Sequence, residues 1–206
     1  GLRFDLTVPL TRYFASNHSK LPRVLKAIQI GPVWRAERPQ KGRYRQFLQC
    51  DIDILGEASE LAEIELLSAS LAALDQIGIK NVTIRVNDRR FLKRELGSLG
   101  IESQDKALIA IDKLDKIGVE GVTKEIAEGY SDDVAAKVAS WLKTAAAETP
   151  AELSWMQKVP QEKRLRFDPT LVRGMGYYTG TIFEISHPAS GSSIGGGGRY
   201  RSEERR

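Results

Sequence analysis

Residues 31–56, GPVWRAERPQKGRYRQFLQCDIDILG, decide how this chain folds. Two apolar stretches, 24–34 and 45–55, flank a turn at Pro39-Gln40-Lys41-Gly42, where proline and glycine punctuate the sequence. In the second stretch Leu48, Cys50, Ile52 and Ile54 alternate with Phe47, Gln49, Asp51 and Asp53. A period of two belongs to a strand. The segment therefore predicts a long antiparallel hairpin, with the first set facing a core and the second sharing the opposite face.

Upstream, Leu2, Phe4, Leu6 and Val8 alternate with Arg3, Asp5 and Thr7, which predicts another half-buried strand. Downstream, Leu61, Ile64, Leu67, Leu71, Leu74 and Ile77 recur at helical spacing, and Gly78 suits the helix end. Val82, Ile84 and Val86 predict a short strand. From 89 to 149 the chain turns rich in Ala, Lys, Asp and Glu, in short helical pieces divided by glycines. One of these opens at Ser131-Asp132-Asp133, a cap followed by acids. Strand-like sequence returns at 164–168 and 178–186, before SSIGGGGRY at 192–200. The expected fold class is α+β: an antiparallel sheet flanked by helices and interrupted by a helical insertion. Three parts are expected: 1–88, the insertion 89–160, and a return at 161–206.

Composition narrows the function classes. Of 206 residues, 41% are hydrophobic and 28% charged, as in ordinary globular proteins. No apolar run reaches the length of a membrane span, and the first residues do not read as a signal peptide. The single cysteine, Cys50, excludes an intrachain disulfide and a cysteine metal cluster, and fits a cytoplasmic location. No metal-ligand cluster is recognisable. The net charge of +4 is local: Arg35, Arg38, Lys41, Arg43 and Arg45 face one acid, Glu37. A basic hairpin on an otherwise balanced chain points to an anionic ligand. Neither a GxxxxGK[ST] loop nor a strand–GxGxxG–helix unit is present.

Within the hairpin, Arg35 and Arg43 suit bidentate contact with phosphate oxygens. Phe47 offers a flat face to a purine, a contact worth about 1–3 kcal/mol. Gln49 and Asp53 lie on the same strand face, two and six residues after Phe47. A second polar constellation, LVRGMGYYTG at 171–180, carries Arg173, Tyr177 and Tyr178.

Taken together these segments resemble the histidyl-tRNA synthetases, a family of class II aminoacyl-tRNA synthetases. GPVWRAERPQKGRYRQFLQCDIDILG resembles their motif 2, and LRFDLTVPLTRY the histidine-binding segment upstream of it. LVRGMGYYTG resembles the histidine signature usually written RGLDYYTG, and GGGGRY the start of the second signature, GGRYDGL. VNDRRFL and DKLDKIG also match. The resemblance implies a class II type antiparallel sheet with a helical insertion domain. It implies that ATP activates L-histidine to histidyl-adenylate, and that the histidyl group passes to tRNA(His). Mg²⁺ is expected beside ATP, and a homodimer as the assembly. By motif match Arg35 and Arg173 meet the α-phosphate, and Glu37, Arg43 and Phe47 hold ATP. Asp5, Thr7 and Gln49 take the substrate α-amino group, and Asp53 and Tyr178 the two imidazole nitrogens, with Tyr177 beside them.

Two positions depart from the pattern. Gly176 stands where the family more often has an Asp that would pair with Arg173 or a tyrosine, and Arg201 stands where GGRYD has Asp. Motif 1, motif 3 and the anticodon-binding domain are not recognisable, so the 206 residues alone are expected to be weakly active or inactive. The alternative is a non-catalytic, synthetase-like paralogue that regulates histidine biosynthesis. Retention of Arg35, Arg43 and Arg173 favours the enzyme.

Overall fold

The computed structural model describes residues 1–39, 44–173 and 177–200. It divides the chain into two compact units, 1–70 and 71–201.

In the first unit, α1 (Thr7–Asn17) precedes the hairpin of β1 (Leu25–Trp34) and β2 (Gln46–Leu55). The two strands pair antiparallel from Leu25↔Leu55 to Trp34↔Gln46 without interruption. The hairpin matches the expectation; the segment before it does not. The alternation from Leu2 to Val8 forms no strand, because Thr7 already begins a helix. Pro9 fits that helix, since the first turn has N–H groups without helical partners anyway. The Asp5 carboxylate accepts one of those groups, Val8 N–H, at 3.1 Å. Leu10 and Phe14, one turn apart, then pack with Leu55 against Leu21, Leu25 and Ala27.

The faces of β2 are also reversed from the expected sense. Phe47, Gln49, Asp51 and Asp53 lie on the more covered face, which also contains Leu55. Leu48 is 72% exposed and Cys50 is exposed, beside the exposed Ile28 and Ile30 of β1. Alternation fixes which residues share a face but not which face is covered. In this unit the face carrying the polar side chains is the one α1 packs against.

α2 (Leu61–Gln76) follows, with Leu67 and Leu71 fully buried and Gly78 just beyond it at φ +82°. Its stripe is shorter than the spacing predicts, since Leu61 and Ile77 are exposed.

The second unit is built on a four-stranded sheet of order β4-β3-β5-β6, comprising β3 (Thr83–Asp88), β4 (Leu165–Phe167), β5 (Tyr178–Ser186) and β6 (Gly195–Tyr200). The β3–β5 and β5–β6 pairs are antiparallel, whereas β3 and β4 run parallel, so the sheet is mixed. Between β3 and β4 the chain is helical: α3 (Arg89–Ser98), α4 (Asp105–Asp112), α5 (Leu114–Gly129), α6 (Asp132–Thr144) and two 3-10 segments. α5 is kinked at Gly118, whose φ is +69°. α6 starts as expected, with the Ser131 hydroxyl accepting Val134 N–H. Ile111, Val122, Ile126 and Val138 are buried among these helices. On the sheet side, Phe91 and Phe167 meet edge to face, 5.4 Å between centroids.

At the end of β3 two polar residues are fully buried. Asn87 donates from Nδ2 to the carbonyls of Pro169 (3.1 Å) and Leu171 (3.0 Å), and its Oδ1 accepts Asp88 N–H. Asp88 caps α3 through Arg90 N–H and pairs with the Arg90 guanidinium. Asn87 thereby ties β3 to the segment that leads to Arg173. Asn87→Leu is expected to destabilise the protein by about 2–4 kcal/mol, because two buried carbonyls and an N–H lose their partner. Urea unfolding checks this, and a change below about 0.5 kcal/mol, the range of a surface substitution, would refute it.

Candidate functional site

Of the sequence candidates in the first unit, Phe47, Gln49 and Asp53 sit on one face of the hairpin. The cross-strand pairs on that face are Val33↔Phe47, Gly31↔Gln49, Gln29↔Asp51 and Ala27↔Asp53. Residues 3–6 are fastened beside β1: Trp34 N–H donates to Arg3 O at 3.0 Å, Arg3 Nε to Pro32 O at 2.8 Å, and Gln29 Nε2 to Leu6 O at 3.1 Å. Gly31 leaves room for this, since a Cβ there would stand 2.7 Å from the Arg3 guanidinium. Asp5 is thus brought to the hairpin by its own backbone, not by a strand of its own. Asp5 and Thr7 do not share a strand face: Asp5 precedes α1 and Thr7 is its first residue.

At one end of this face the Arg35 guanidinium lies over two rings, 4.7 Å from the Phe4 centroid and 5.1 Å from that of Phe47. Its Nε donates to Phe4 O, and its backbone N–H to Arg45 O at 2.8 Å. The arginine is therefore positioned from both sides of the hairpin, and it covers one side of the Phe47 ring. Glu37 lies exposed beyond it, and Arg45 donates to its carbonyl. Arg43 falls outside the described residues.

Further along, before the apolar end at Leu25 and Leu55, the same face turns acidic. Gln49 donates to Asp51 Oδ2 at 2.7 Å, and its own Oε1 is buried with no donor among the described residues. Asp53 is 9% exposed. Burial raises the Asp51 pKa above the ordinary carboxylate value; the Gln49 hydrogen bond opposes the rise, and the charges of Asp53 and Asp5 add to it. Three carboxylates and an unmet amide oxygen on one patch attract a cation or a multiple N–H donor. Asp51 shares the face with the candidates but was not among them. Its signal is the alternation itself, which sets it between Gln49 and Asp53.

The second unit holds the other constellation. Arg173 follows buried Leu171 and Val172, and its Nη1 donates to Glu184 Oε2 at 2.8 Å. Tyr177, 58% exposed, donates its hydroxyl to that of Tyr178 at 3.3 Å, with ring centroids 4.3 Å apart. Gly176 and Arg201 lie outside the described residues. Beneath Arg173, Arg85 Nε donates to Asp168 at 2.6 Å and its Nη1 lies 3.6 Å from Glu184. Burial alone would raise the Asp168 pKa, but hydrogen bonds from Thr170 and the charge of Arg85 outweigh it and bring the value below normal. Glu184, Arg85 and Asp168 escaped sequence reading because their meeting depends on strand register. Among the described residues no group of three or more His, Cys, Asp or Glu side chains is arranged to hold a metal ion.

Comparison with known proteins spans both units. The family profile described as histidyl-tRNA synthetase matches residues 1–204. A histidine--tRNA ligase of Leifsonia xyli subsp. xyli is 54% identical across 97% of this chain and 53% of its own length. That of Aeropyrum pernix is 40% identical across 97% and 51%. The crystal structure of histidyl-tRNA synthetase from Nostoc sp. PCC 7120 superposes with TM-score 0.77 at 29% identity, covering 96% of this chain and 52% of that one. The chain spans about half the length of the curated relatives it matches. With a profile match over nearly its whole length, the chain belongs to the histidyl-tRNA synthetase family.

Proposed function

We propose that this chain is the amino-acid-activating part of a histidine–tRNA ligase, which joins L-histidine to ATP as histidyl-adenylate and passes the histidyl group to tRNA(His). The observation that carries the reading is the polarity of the hairpin face. A guanidinium over two rings stands at its polar end, and a buried amide oxygen with three carboxylates follows along the same face. Such a face suits a molecule that is anionic at one end and cationic at the other.

In the activation step a histidine carboxylate oxygen attacks the α-phosphorus of ATP. The new O–P bond forms as the bond to pyrophosphate breaks, and negative charge grows on the phosphoryl oxygens. Catalysis is then positioning and stabilisation by fixed cations. Arg35 and Arg173 are assigned to that charge, and Glu37, Arg43 and Phe47 to ATP. For adenine to stack on Phe47, it must take the ring face that Arg35 leaves open. Asp5, Thr7 and Gln49 are assigned to the α-amino group, to which Gln49 Oε1 offers an acceptor. We add Asp51 to them. Asp53 and Tyr178, with Tyr177 alongside, are assigned to the imidazole, which when neutral has one donor and one acceptor to be met.

Mg²⁺ is expected to arrive on the ATP phosphates, a mode that needs few protein ligands. With this reading come a homodimeric assembly, a cytoplasmic place of work, and residues 89–160 as the insertion domain. No helix among the described residues is long and apolar enough to cross a membrane. Retained Arg35 and Arg173 speak for an enzyme rather than a regulatory paralogue.

Isothermal titration of the 206-residue chain with L-histidine tests the acidic stretch. Asp53→Ala is expected to weaken binding at least 30-fold, roughly the 2 kcal/mol cost of leaving a polar partner unmet. Undiminished affinity would count against the imidazole assignment. In the full-length protein, Arg35→Ala is expected to lower kcat for histidine-dependent ATP–pyrophosphate exchange about 10²–10³-fold, the usual effect of deleting one charge-stabilising group. Unchanged kcat would remove Arg35 from the mechanism.

Asp51 gives a pH-dependent expectation. Its raised pKa disfavours the folded state above that pKa, and the penalty vanishes below the unfolded value of about 3.9. Asp51→Asn should therefore raise the unfolding midpoint at pH 7 by an amount that shrinks towards pH 4, while weakening histidine binding. Thermal scans across pH, paired with titrations, check both; a variant equal to wild type in both would refute them.

A further inference from the structure

Arg173 has four rotatable side-chain bonds and is only half-buried, with side-chain exposure of 34%. A free arginine at such a place would spread over many rotamers, at an entropic cost near 2 kcal/mol on fixing it. The sheet removes that freedom. Glu184 stands in β5, flanked by Arg85 as its cross-strand partner in β3 and by Gly196 as its partner in β6. Its carboxylate receives Arg173 Nη1 at 2.8 Å and lies 3.6 Å from Arg85 Nη1. Arg85 is held in turn by Asp168, which takes hydrogen bonds from the Thr170 backbone and hydroxyl. The charges alternate along this row, so each ion fixes the next. Gly196 supplies the floor: a Cβ there would stand 2.6 Å from Arg173 Cζ and 2.9 Å from Nε. The guanidinium therefore rests on bare backbone.

We propose that Glu184 and Gly196 are positioning residues for Arg173, forming an alcove in which the carboxylate aims the guanidinium and the missing side chain admits it. This rests on the assignment of Arg173 to the α-phosphate charge. The carboxylate sits on the middle of a paired strand, which a loop-borne partner would not match for rigidity. A misplacement of about 1 Å can cost on the order of 10²-fold in rate, so loss of either alcove residue lowers turnover without touching a substrate.

The test is a double-mutant cycle in the full-length protein, read by histidine-dependent ATP–pyrophosphate exchange. It compares wild type, Arg173→Ala, Glu184→Gln and the double variant. Glu184→Gln is expected to lower kcat tenfold or more while KM for histidine and ATP stays within twofold. The double variant is expected to be no slower than Arg173→Ala alone, because Glu184 acts on turnover through that arginine while Asp168 still neutralises Arg85. Glu184→Asp should recover part of the loss. Gly196→Ala provides a second route that leaves every charge in place and meets only the movable end of a side chain. It should show the same kcat loss and the same absence of further effect on Arg173→Ala. If Arg173→Ala is slow but the alcove variants match wild type, or their losses multiply with it, the alcove is refuted while the role of Arg173 stands. If Arg173→Ala itself is as fast as wild type, the assignment of Arg173 falls and the alcove with it.

Discussion

The second unit is organised around one electrostatic requirement: Arg85, on an inner strand of the sheet and only about a quarter exposed, is neutralised. Asp168 meets it at 2.6 Å and Glu184 shares in it. Partial desolvation disfavours an ion unless its partner is well placed, so this pairing constrains the chain around it. Asp168 closes the turn after β4 through Thr170, and Asn87 holds the next carbonyls. The main chain reaches Arg173 along a path set at both of those points. The position of Arg173 thus follows from how the sheet balances its own charge.

The hairpin of the first unit answers a different demand. One face has to close a core and also present polar groups, and it divides the task along its length. Leu25 and Leu55 lie under α1 at one end, while Phe47 and Gln49 stand at the other with the residues 3–6 beside them. Asp51 and Asp53 fall between. That location explains why the Asp51 carboxyl is partly desolvated without being sealed in apolar packing.

How much of this could be read from the residues depends on the range of the forces involved. β1 to β5, α2 and the Ser131 cap follow from local periodicity and local hydrogen bonds, and they lie where the patterns indicated. The strand expected at Leu2–Val8 failed because alternation over four apolar residues is weak beside the Leu10–Phe14 spacing and the Val8 N–H bond to Asp5 that favour a helix. The covered face of β2 was inverted because which side of a strand is covered is a tertiary outcome. Among site residues, Phe47, Gln49 and Asp53 were legible as a strand face. Glu184 was not: in TIFEIS it reads as one polar residue in an apolar strand, and its meaning comes from Arg85 and Gly196 on neighbouring strands.

The four consecutive glycines of β6 carry a consequence for the motion of this sheet. A Cβ at Gly195, Gly197 or Gly198 would press on Ile185, Phe183, or Thr181 and Tyr178, so the strand is stripped to let β5 side chains lie flat. Each glycine gives up about 0.5–1 kcal/mol relative to alanine in an ordered strand, and β6 is at the end of the described strand order, paired on one side only. The strand that floors Arg173 is accordingly held less firmly than the inner strands β3 and β5. Its amide hydrogens exchange with solvent sooner than those of β3 and β5, and any change in how Arg173 is held reaches them directly through the Gly196 backbone.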